Sequence, residues 1–451
     1  MIIVQVTEEK EIPGPKGRPI VGVGLDFKKD PLTYITNLRS YGDIVSVRLG
    51  MVNVVLLFNP EYIKYVLATN NSNYHKGRNY KYLKAVLGEG LVTNEDETWK
   101  RHRQIIQPVF HTSQIIDYVT QFNELTKSYI AKWSQMGEIN DFNEMSALTA
   151  TIVTKTILGS DIEIDPAVIS KAVSDLTLHL QKQNNSLYPL PHFIPTSENR
   201  KFAKNMNIIN SIVYNIIEQH KTEEKKGNDI LSRLLIASGG DFDQPLSDSE
   251  LRDEIRTFFL AGHETTATGL TWTLYLLAKH PEIRDKMITE IHSVLGRDRD
   301  PTSEDLKKLV YIEQIANESM RLYPPIYIFA RKALEEDHID GYTIPKGTTV
   351  ITSQFAIHRD PALWEDPLEF KPERFEEEKV KNMHKYAFVP FGGGPRTCIG
   401  KNFALIEMKI ILAKIFQNHY VVMKEEDVEI KPTPHFTLRP NKDIILVFKR
   451  L

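Results

Sequence analysis

The segment 391–400 (FGGGPRTCIG), a glycine-rich decapeptide with the only cysteine of the 451-residue chain, most restricts how this sequence can fold. A lone cysteine cannot close an internal disulfide, and by default it is a small buried hydrophobic residue. Here, however, the glycines at 392–394 permit positive φ angles and leave no Cβ to obstruct a large group against the backbone. The segment therefore predicts a loop that packs against a planar ligand.

The helix predicted after this loop indicates the state of the sulfur. Residues 402–416 form an apolar helical run, so Cys398 is expected at a helix N-terminus among free backbone N–H groups. Those groups and the guanidinium of Arg396 favour the thiolate. A thiolate in a glycine loop beside a flat cofactor meets the requirement for cysteine ligation of haem iron, which makes Cys398 the candidate metal ligand.

The same residues carry a family resemblance. Phe391, Gly394, Arg396, Cys398 and Gly400 match the haem-loop pattern Phe-x-x-Gly-x-Arg-x-Cys-x-Gly, and in this the chain resembles the cytochrome P450 family. The resemblance implies a mainly α-helical fold with smaller β-sheets, in which a long central helix lies over the haem. It also implies haem b as the cofactor, with Phe391 and Arg396 in its binding site.

Composition limits the domain organisation, the kinds of binding partner and the cellular compartment that this chain can have. With 41% hydrophobic residues the chain can build a large core, and we expect one domain over residues 1–451, with an N-terminal β-rich lobe and a larger helical lobe. The net charge of −3 gives no reason to expect nucleic-acid binding. One cysteine excludes a disulfide scaffold and suits the reducing cytoplasm. Because residues 1–11 lack the ~20 apolar residues of a membrane span, a soluble protein without a transmembrane anchor is expected.

The longest predicted helix begins at a capping box, Ser247 with Glu250, and extends to the residue before Pro281. Its flanks are apolar, but its middle, 261–266 (AGHETT), contains a carboxyl group and a glycine, which costs about 1 kcal/mol relative to alanine. A helix kink or an interhelical hydrogen bond is one explanation of such a segment. A functional site is the other.

The functional interpretation follows from the side-chain positions. Ala261 and Thr265 lie one turn apart on one face, and the Thr265 hydroxyl can donate to the Ala261 carbonyl, which opens a groove for a small molecule. The segment resembles the family's oxygen-activating motif. This resemblance implies that Glu264 relays protons, that Thr265 orders water, and that Ala261 lies at the cofactor and, with Val92, at the substrate.

Four further side chains are candidate haem-binding groups. Trp99 and Arg103 share a helix face at i, i+4, where the alternative is an ordinary cation–π pair. Trp-x-x-x-Arg resembles the family element that binds haem propionates, and Arg331 matches the position of another propionate-binding arginine. Lys76 is the fourth candidate, and His102 is either a further donor or a surface residue.

A charged trio is predicted to be structural. Glu318 and Arg321 form an i, i+3 helix pair, which alone is common and contributes about 0.2–0.5 kcal/mol. Arg374 follows in the order typical of the family. The resemblance therefore implies a network of Glu318, Arg321 and Arg374 that holds the chain near the haem.

The predicted strands are secondary to the helices. Residues 44–50 and 52–58 are rich in β-branched residues around a short turn and predict a hairpin. Residues 341–347 and 348–355 predict a second hairpin.

The resemblance implies a monooxygenase that inserts one oxygen atom of O2 into an apolar organic substrate: a fatty acid, terpenoid or steroid. The motif at 261–266 resembles a eukaryotic-like bacterial branch that includes fatty-acid hydroxylases. Val92, however, stands where the reductase-fused members of that group have phenylalanine, and it admits a bulkier substrate.

Electrons must come from a separate protein, since no flavin or iron–sulfur module is recognisable in the chain. Ferredoxin or flavodoxin with a reductase, or a diflavin reductase, is implied. We predict a basic docking face for this partner, formed by Lys100, Arg101, Lys401 and Lys409.

Other haem proteins remain alternatives. A peroxide-driven enzyme usually lacks the acid–alcohol pair, so Glu264 and Thr265 count against it. A haem-thiolate isomerase or dehydratase tends to depart from the threonine pattern. A non-catalytic haem carrier or sensor does not require the oxygen-activating motif at all.

Overall fold

The computed structural model describes residues 10–77, 80–160, 165–185, 190–222, 229–238 and 245–451. Helices form most of its regular structure, as predicted for a mainly α-helical fold with smaller β-sheets. In chain order the α-helices are α1 (Gly24–Lys29), α2 (Pro31–Leu38), α3 (Pro60–Lys64), α4 (Tyr80–Leu87), α5 (Asp96–Ile106), α6 (Thr112–Asp117), α7 (Val119–Met136), α8 (Asp141–Thr156), α9 (Pro166–Asn185), α10 (Ser197–Thr222), α11 (Ile230–Ser238), α12 (Asp248–Lys279), α13 (Pro281–Leu295), α14 (Ser303–Leu306), α15 (Val310–Leu322), α16 (Gln354–Ile357), α17 (Glu377–Asn382) and α18 (Lys401–Asn418).

The strands are short and form small sheets. Within the described residues they are β1 (Ile44–Leu49), β2 (Val52–Leu57), β3 (Tyr74–Lys76), β4 (Glu138–Asn140), β5 (Phe329–Ala333), β6 (Asp337–Ile339), β7 (Tyr342–Ile344), β8 (Thr349–Thr352), β9 (His419–Met423), β10 (Pro432–Pro434), β11 (Leu438–Pro440) and β12 (Ile445–Arg450). They assemble into sheets of order β1-β2-β8-β5-β3, β4-β12-β9, β6-β7 and β10-β11.

The chain divides into two compact units. The first comprises Met1–Tyr80, Ile326–Glu369 and Glu377–Cys398, and it contains the five-stranded sheet. In this sheet β1 and β2 are antiparallel, with Ile44 opposite Leu57, whereas β2 and β8 are parallel. Most apolar residues of β1 and β2 are buried.

The second unit comprises Lys81–Pro325, Phe370–Glu376 and Ile399–Leu451, and its core surrounds α12. Helices α8, α15 and α18 pack against α12. Trp272 of α12 is fully buried; its ring stacks on Tyr323 with centroids 3.9 Å apart, and its Nε1 donates to the Leu438 carbonyl at 2.6 Å. An apolar helix surrounded in this way is held chiefly by burial rather than by helix propensity.

The predicted bounds of the long helix are confirmed. The Ser247 hydroxyl accepts from the N–H of Glu250, and the Glu250 carboxylate accepts from the N–H of Ser247, which completes the capping box. The helix is continuous from Asp248 to Lys279 and ends at His280, immediately before Pro281. The helix therefore begins at the capping box and ends before the proline, as the sequence predicted.

One predicted hairpin is confirmed and the other is wrong. Strands β1 and β2 form the first hairpin. In the second region β7 pairs instead with the preceding β6, because Asp340 and Gly341, with φ of 51° and 80°, reverse the chain between Ile339 and Tyr342. Strand β8 joins β5 and β2 in the larger sheet.

None of the helices in the described ranges combines the length and apolar character that a bilayer crossing requires. Residues 1–9, part of the segment used to predict that there is no anchor, lie outside the described residues. The expectation of a single domain over residues 1–451 stays a prediction.

Candidate functional site

Residues 391–398 of the cysteine loop belong to the first unit, and hydrogen bonds of their own backbone hold them in place. Gly392 and Gly394 have φ of 74° and 67°, so both positions use the left-handed region that favours glycine. The N–H of Cys398 donates to the Phe391 carbonyl at 2.9 Å, and the Thr397 hydroxyl donates to the Gly394 carbonyl at 2.7 Å. The position of residue 398 is therefore determined by main-chain geometry.

Two of the three glycines are required by packing within the protein. A Cβ on Gly393 would lie 2.5 Å from Cε1 of Tyr386, and a Cβ on Gly394 would lie 1.9 Å from the Leu67 carbonyl oxygen. Gly393 itself is extended, with φ of −154°. The sequence interpretation assigned the missing Cβ atoms to ligand contact, whereas at these two positions the protein's own atoms take up the space.

Cys398 meets the requirements of a haem-iron ligand. Its side chain is exposed, and α18 begins at Lys401, three residues later, with Gly400 as the N-cap. Gly400 has no side chain to cap the helix, and exposed N–H groups at a helix start favour an anion. Phe391 and Arg396, the other candidates in this loop, are both half-buried.

Two cationic candidates of the same unit are cross-strand partners. Lys76 of β3 lies directly opposite Arg331 of β5, and both are half-buried. Residues opposite one another in an antiparallel pair share a face, and like charges there repel. Two cations on one face of the sheet suit an anionic group, so this pair is compatible with a haem propionate.

Trp99 and Arg103 lie on α5 of the second unit, as predicted, and both are half-buried. Arg103 Nε donates to Gln107 Oε1 at 3.1 Å. His102, between them, is fully buried, so its interpretation as a surface residue is wrong. Its Nδ1 lies 2.5 Å from Glu254 Oε1 of α12. Burial opposes the charged form of His102, but the hydrogen bonds and negative charges of Glu254 and Glu250 together outweigh burial and raise the pKa of its imidazole.

Helix α12 has one open face. From Asp253 to Leu274 every residue is buried except three half-buried ones: Ala261, Gly262 and Thr265. The Thr265 hydroxyl donates to the Ala261 carbonyl at 2.8 Å, the bond that the sequence predicted. The open face thus presents a hydroxyl beside a small gap in the packing, which suits a small molecule such as O2 or water.

Gly262 has a packing explanation. A Cβ at this position would lie 2.9 Å from Cγ2 of Val153 on α8, so the glycine permits close approach of the two helices. The Thr149 hydroxyl of α8 also donates to the His263 carbonyl at 3.0 Å. The interhelical explanation therefore holds for Gly262, while the open face remains beside it.

Glu264 takes part in an ion pair that sequence analysis missed. Its carboxylate is buried, and Oε1 accepts from Arg439 Nη2 at 2.7 Å and from the Thr437 hydroxyl at 2.9 Å. Arg439 also donates to Ser174 Oγ of α9 at 3.0 Å and lies over the ring of Phe142. Arg439 therefore joins the proposed proton-relay residue to helix α9.

Nothing local distinguishes Arg439. It follows β-strand residues in a tail with several prolines, 175 positions after Glu264. A buried carboxylate does require a partner, so the presence of a distant cation could have been inferred, but not its identity.

Replacing Arg439 with leucine is expected to lower the free energy of unfolding by about 1–3 kcal/mol, because Glu264 keeps the Thr437 hydrogen bond but loses its cation. Denaturant unfolding measures this change. Arg439→Lys, which retains the charge, should lose less. Equal stability of the wild type and the leucine variant would contradict the assigned pairing.

The predicted trio forms one buried network in the second unit. Glu318 accepts from Arg321 at 2.7 and 2.8 Å, in a bidentate pair whose side chains are both 0% exposed. Glu318 Oε1 also accepts from the Lys371 N–H at 2.9 Å and from Arg374 Nε at 3.3 Å. The carboxylate therefore ties α15 to the turn at Pro372–Phe375.

The candidate substrate residue and the four residues of the predicted docking face differ in their exposure to solvent. Val92 is half-buried and packs against the apolar core of its unit.

Lys409 is buried, and its ammonium donates to the Leu306 carbonyl and to Glu313, so its place in the predicted docking face is wrong. Arg101 is ion-paired with Glu250 and only partly exposed. Lys100 and Lys401 are exposed.

Comparisons with known proteins agree with these observations. The family model described as Cytochrome P450 matches residues 12–447. Cyclooctatin synthase of Streptomyces melanosporofaciens is 31% identical over 94% of this chain and 92% of that protein. Cyclooctat-9-en-7-ol 5-monooxygenase of the same organism is 32% identical over 89% and 87%, and Cytochrome P450 4V2 of Rattus norvegicus is 30% identical over 96% and 88%. The crystal structure of the cytochrome P450DA haem domain matches with a TM-score of 0.86, at 26% identity, over 98% of both chains.

Proposed function

This chain belongs to the cytochrome P450 family and is a monooxygenase with a haem-thiolate cofactor, and from this premise we propose the residues that perform each part of the reaction. The cofactor would be haem b, and the Cys398 thiolate would hold its iron. The exposed thiol and the backbone hydrogen bonds that hold residue 398 in place support this assignment.

The propionate groups of the haem are bound by Trp99, Arg103, Lys76 and Arg331. The opposed cations on β3 and β5 support the last two. Arg396, Phe391 and Ala261 complete the cofactor site. Glu318, Arg321 and Arg374 have a structural role, supported by their buried network.

The open face of α12 is the observation from which we assign the catalytic roles of Thr265 and Glu264. When bound, the haem supplies the chemistry of oxygen activation. Thr265 holds a water molecule through its hydroxyl oxygen, which can still accept a hydrogen bond because its proton is donated to the Ala261 carbonyl. Once its carboxylate has separated from Arg439, Glu264 would pass a proton taken from solvent to this water, which in turn would give one of its own protons to the reacting oxygen. The ion pair with Arg439 therefore controls when Glu264 can act.

Replacing Thr265 with alanine should leave the haem-thiolate spectrum unchanged but should convert most consumed reducing equivalents into hydrogen peroxide, because water is no longer held at the open face. Product and peroxide are measured against consumed reductant.

Thr273→Ala is the matched control. Thr273 donates to the Gly269 carbonyl at 2.7 Å in the same i, i−4 manner, but it is fully buried. Coupling should be unchanged in this variant. Tight coupling in Thr265→Ala, or equal uncoupling in both variants, would contradict the role of Thr265.

The substrate is an apolar organic molecule: a terpenoid, steroid or fatty acid. Two observations support the bulkier members of this set. Position 92 carries a valine, which is half-buried, and one relative is named as a monooxygenase of cyclooctat-9-en-7-ol.

A panel of terpenoids, steroids and fatty acids, added to the haem-loaded protein, tests the substrate class through the spin-state shift of the iron. We expect terpenoids or steroids to give the largest shift. Val92→Phe should weaken the response to bulky compounds more than the response to fatty acids. Shifts confined to polar compounds would refute the proposed class.

The protein acts with O2 and a redox partner, as monooxygenases of this family do. We propose ferredoxin or flavodoxin with a reductase, or a diflavin reductase, as that partner, and Lys100 and Lys401 as part of its docking face. A cytoplasmic location, suggested by the single cysteine, stays a prediction.

A further inference from the structure

Two histidines with no role in the proposed reaction meet in the connection between α9 and α10. Nε2 of His179, on α9, lies 3.3 Å from Nε2 of His192, and the ring centroids are 5.3 Å apart. When two imidazole nitrogens bind the same metal ion, each at about 2.0–2.1 Å, the two nitrogens are about 3 Å apart. The two nitrogens therefore have the separation that a shared ion produces.

Phe202 of α10 holds both rings. Its ring centroid lies 4.6 Å from that of His179 and 4.4 Å from that of His192, and the second pair is stacked. His179 is only 6% exposed, whereas His192 is exposed. One ligand is thus fixed within the protein, and the other leaves a path for an ion from solvent.

The surroundings leave the rings able to bind a cation. Burial lowers the pKa of both imidazoles, and their mutual repulsion lowers that of His179 further, so each ring has a nitrogen lone pair. The charged groups near His179 are Glu198 and Lys182, which are paired with each other. Their charges offset one another, so neither excludes a divalent ion.

A third ligand stands one helical turn along. The Gln183 amide nitrogen lies 3.4 Å from Nε2 of His179 and 3.3 Å from the Leu190 carbonyl. Rotation of the amide exchanges its oxygen and nitrogen, so Gln183 can present its oxygen to an ion at the cost of its long hydrogen bond to the Leu190 carbonyl. No group of three or more His, Cys, Asp or Glu side chains in the described ranges could hold a metal, so water must complete this coordination shell.

A direct hydrogen bond between the two rings is the alternative. The 3.3 Å between the two nitrogens exceeds the usual 2.9–3.0 Å of a good hydrogen bond. Such a bond would be weak, and a weak bond gives little reason for the two nitrogens to face each other. We propose that His179 and His192 bind one divalent transition-metal ion, such as zinc or nickel, which fastens the segment before α10 to α9. Imidazole is a preferred ligand of both ions.

Calorimetric titration of the haem-loaded protein with zinc chloride and nickel chloride tests this proposal, with thermal unfolding as a second readout. We expect one ion per chain and a higher Tm with either metal, but no effect of magnesium chloride. His192→Ala should weaken binding by about 10-fold or more, since loss of even an outer-shell partner has that effect. Gln183→Ala should weaken it less.

His338→Ala is the matched control, because His338 is exposed and hydrogen-bonds only weakly to Thr343, at 3.2 Å. This variant should bind metal as the wild type does. His192 is exposed, so its removal should not prevent folding. Failure of the wild type to bind at millimolar metal, or equal affinity of His192→Ala and His338→Ala, overturns the proposal.

Discussion

Replacing Cys398 with serine is expected to remove the thiolate-type absorption band of the reduced carbon-monoxide complex and to lower turnover by more than the roughly 100-fold that loss of an outer-shell partner causes. The hydroxyl of serine is not ionised at neutral pH and cannot provide the electron donation of a thiolate. The fold should survive, since the N–H of residue 398 donates to the Phe391 carbonyl whatever the side chain is.

Thr397→Ser is the matched control for this experiment. It keeps the hydroxyl that donates to the Gly394 carbonyl, so the loop and the thiolate band should both be retained. Circular dichroism checks that both variants are folded. A wild-type protein whose reduced carbon-monoxide complex lacks the thiolate-type band would show that another residue ligates the iron, and the assignment of Cys398 would fail.

Replacing Glu318 with alanine is expected to destabilise the protein by about 3–5 kcal/mol, because the Arg321 guanidinium would remain buried without its carboxylate. The Lys371 N–H and Arg374 would lose the same acceptor. Urea unfolding measures the loss, and the haem content of the purified protein should fall with it.

Glu304→Ala removes a carboxylate of the same i, i+3 type and serves as the control. Glu304 and Lys307 are 72% and 70% exposed, and such pairs contribute about 0–1 kcal/mol. The double replacement Glu318→Leu with Arg321→Leu should be less damaging than Glu318→Ala, since it leaves no unpaired charge at Arg321. Similar losses in Glu304→Ala and Glu318→Ala would contradict the importance of the buried network.

Features that depend on neighbouring residues were predictable. The capping box at Ser247, the helix end before Pro281 and the β1–β2 hairpin are encoded within a few positions each. The same is true of the Thr265 hydrogen bond to Ala261, which follows from helical geometry alone. The second predicted hairpin is wrong because the chain reverses at residues 340–341, before the turn that the sequence pattern indicated.

Burial and long-range pairing were not predictable. Lys409 reads as a surface cation, yet its ammonium is buried against Glu313. His102 reads as a possible surface donor, yet it is enclosed by α12 and paired with Glu254. A residue's type indicates what partner it needs but not where that partner lies along the chain.

The sequence by itself determined the chemistry available to this protein: one cysteine in a glycine loop, an acid–alcohol pair on a long capped helix, and the helix pair of Glu318 with Arg321. Each follows from residue type and short spacing, which act before the chain is compact. Only the tertiary structure decided that α12 is open at Ala261, Gly262 and Thr265 and that Arg439 pairs with Glu264. Such features arise because close packing brings together segments far apart in the sequence and leaves space only where their surfaces fail to meet.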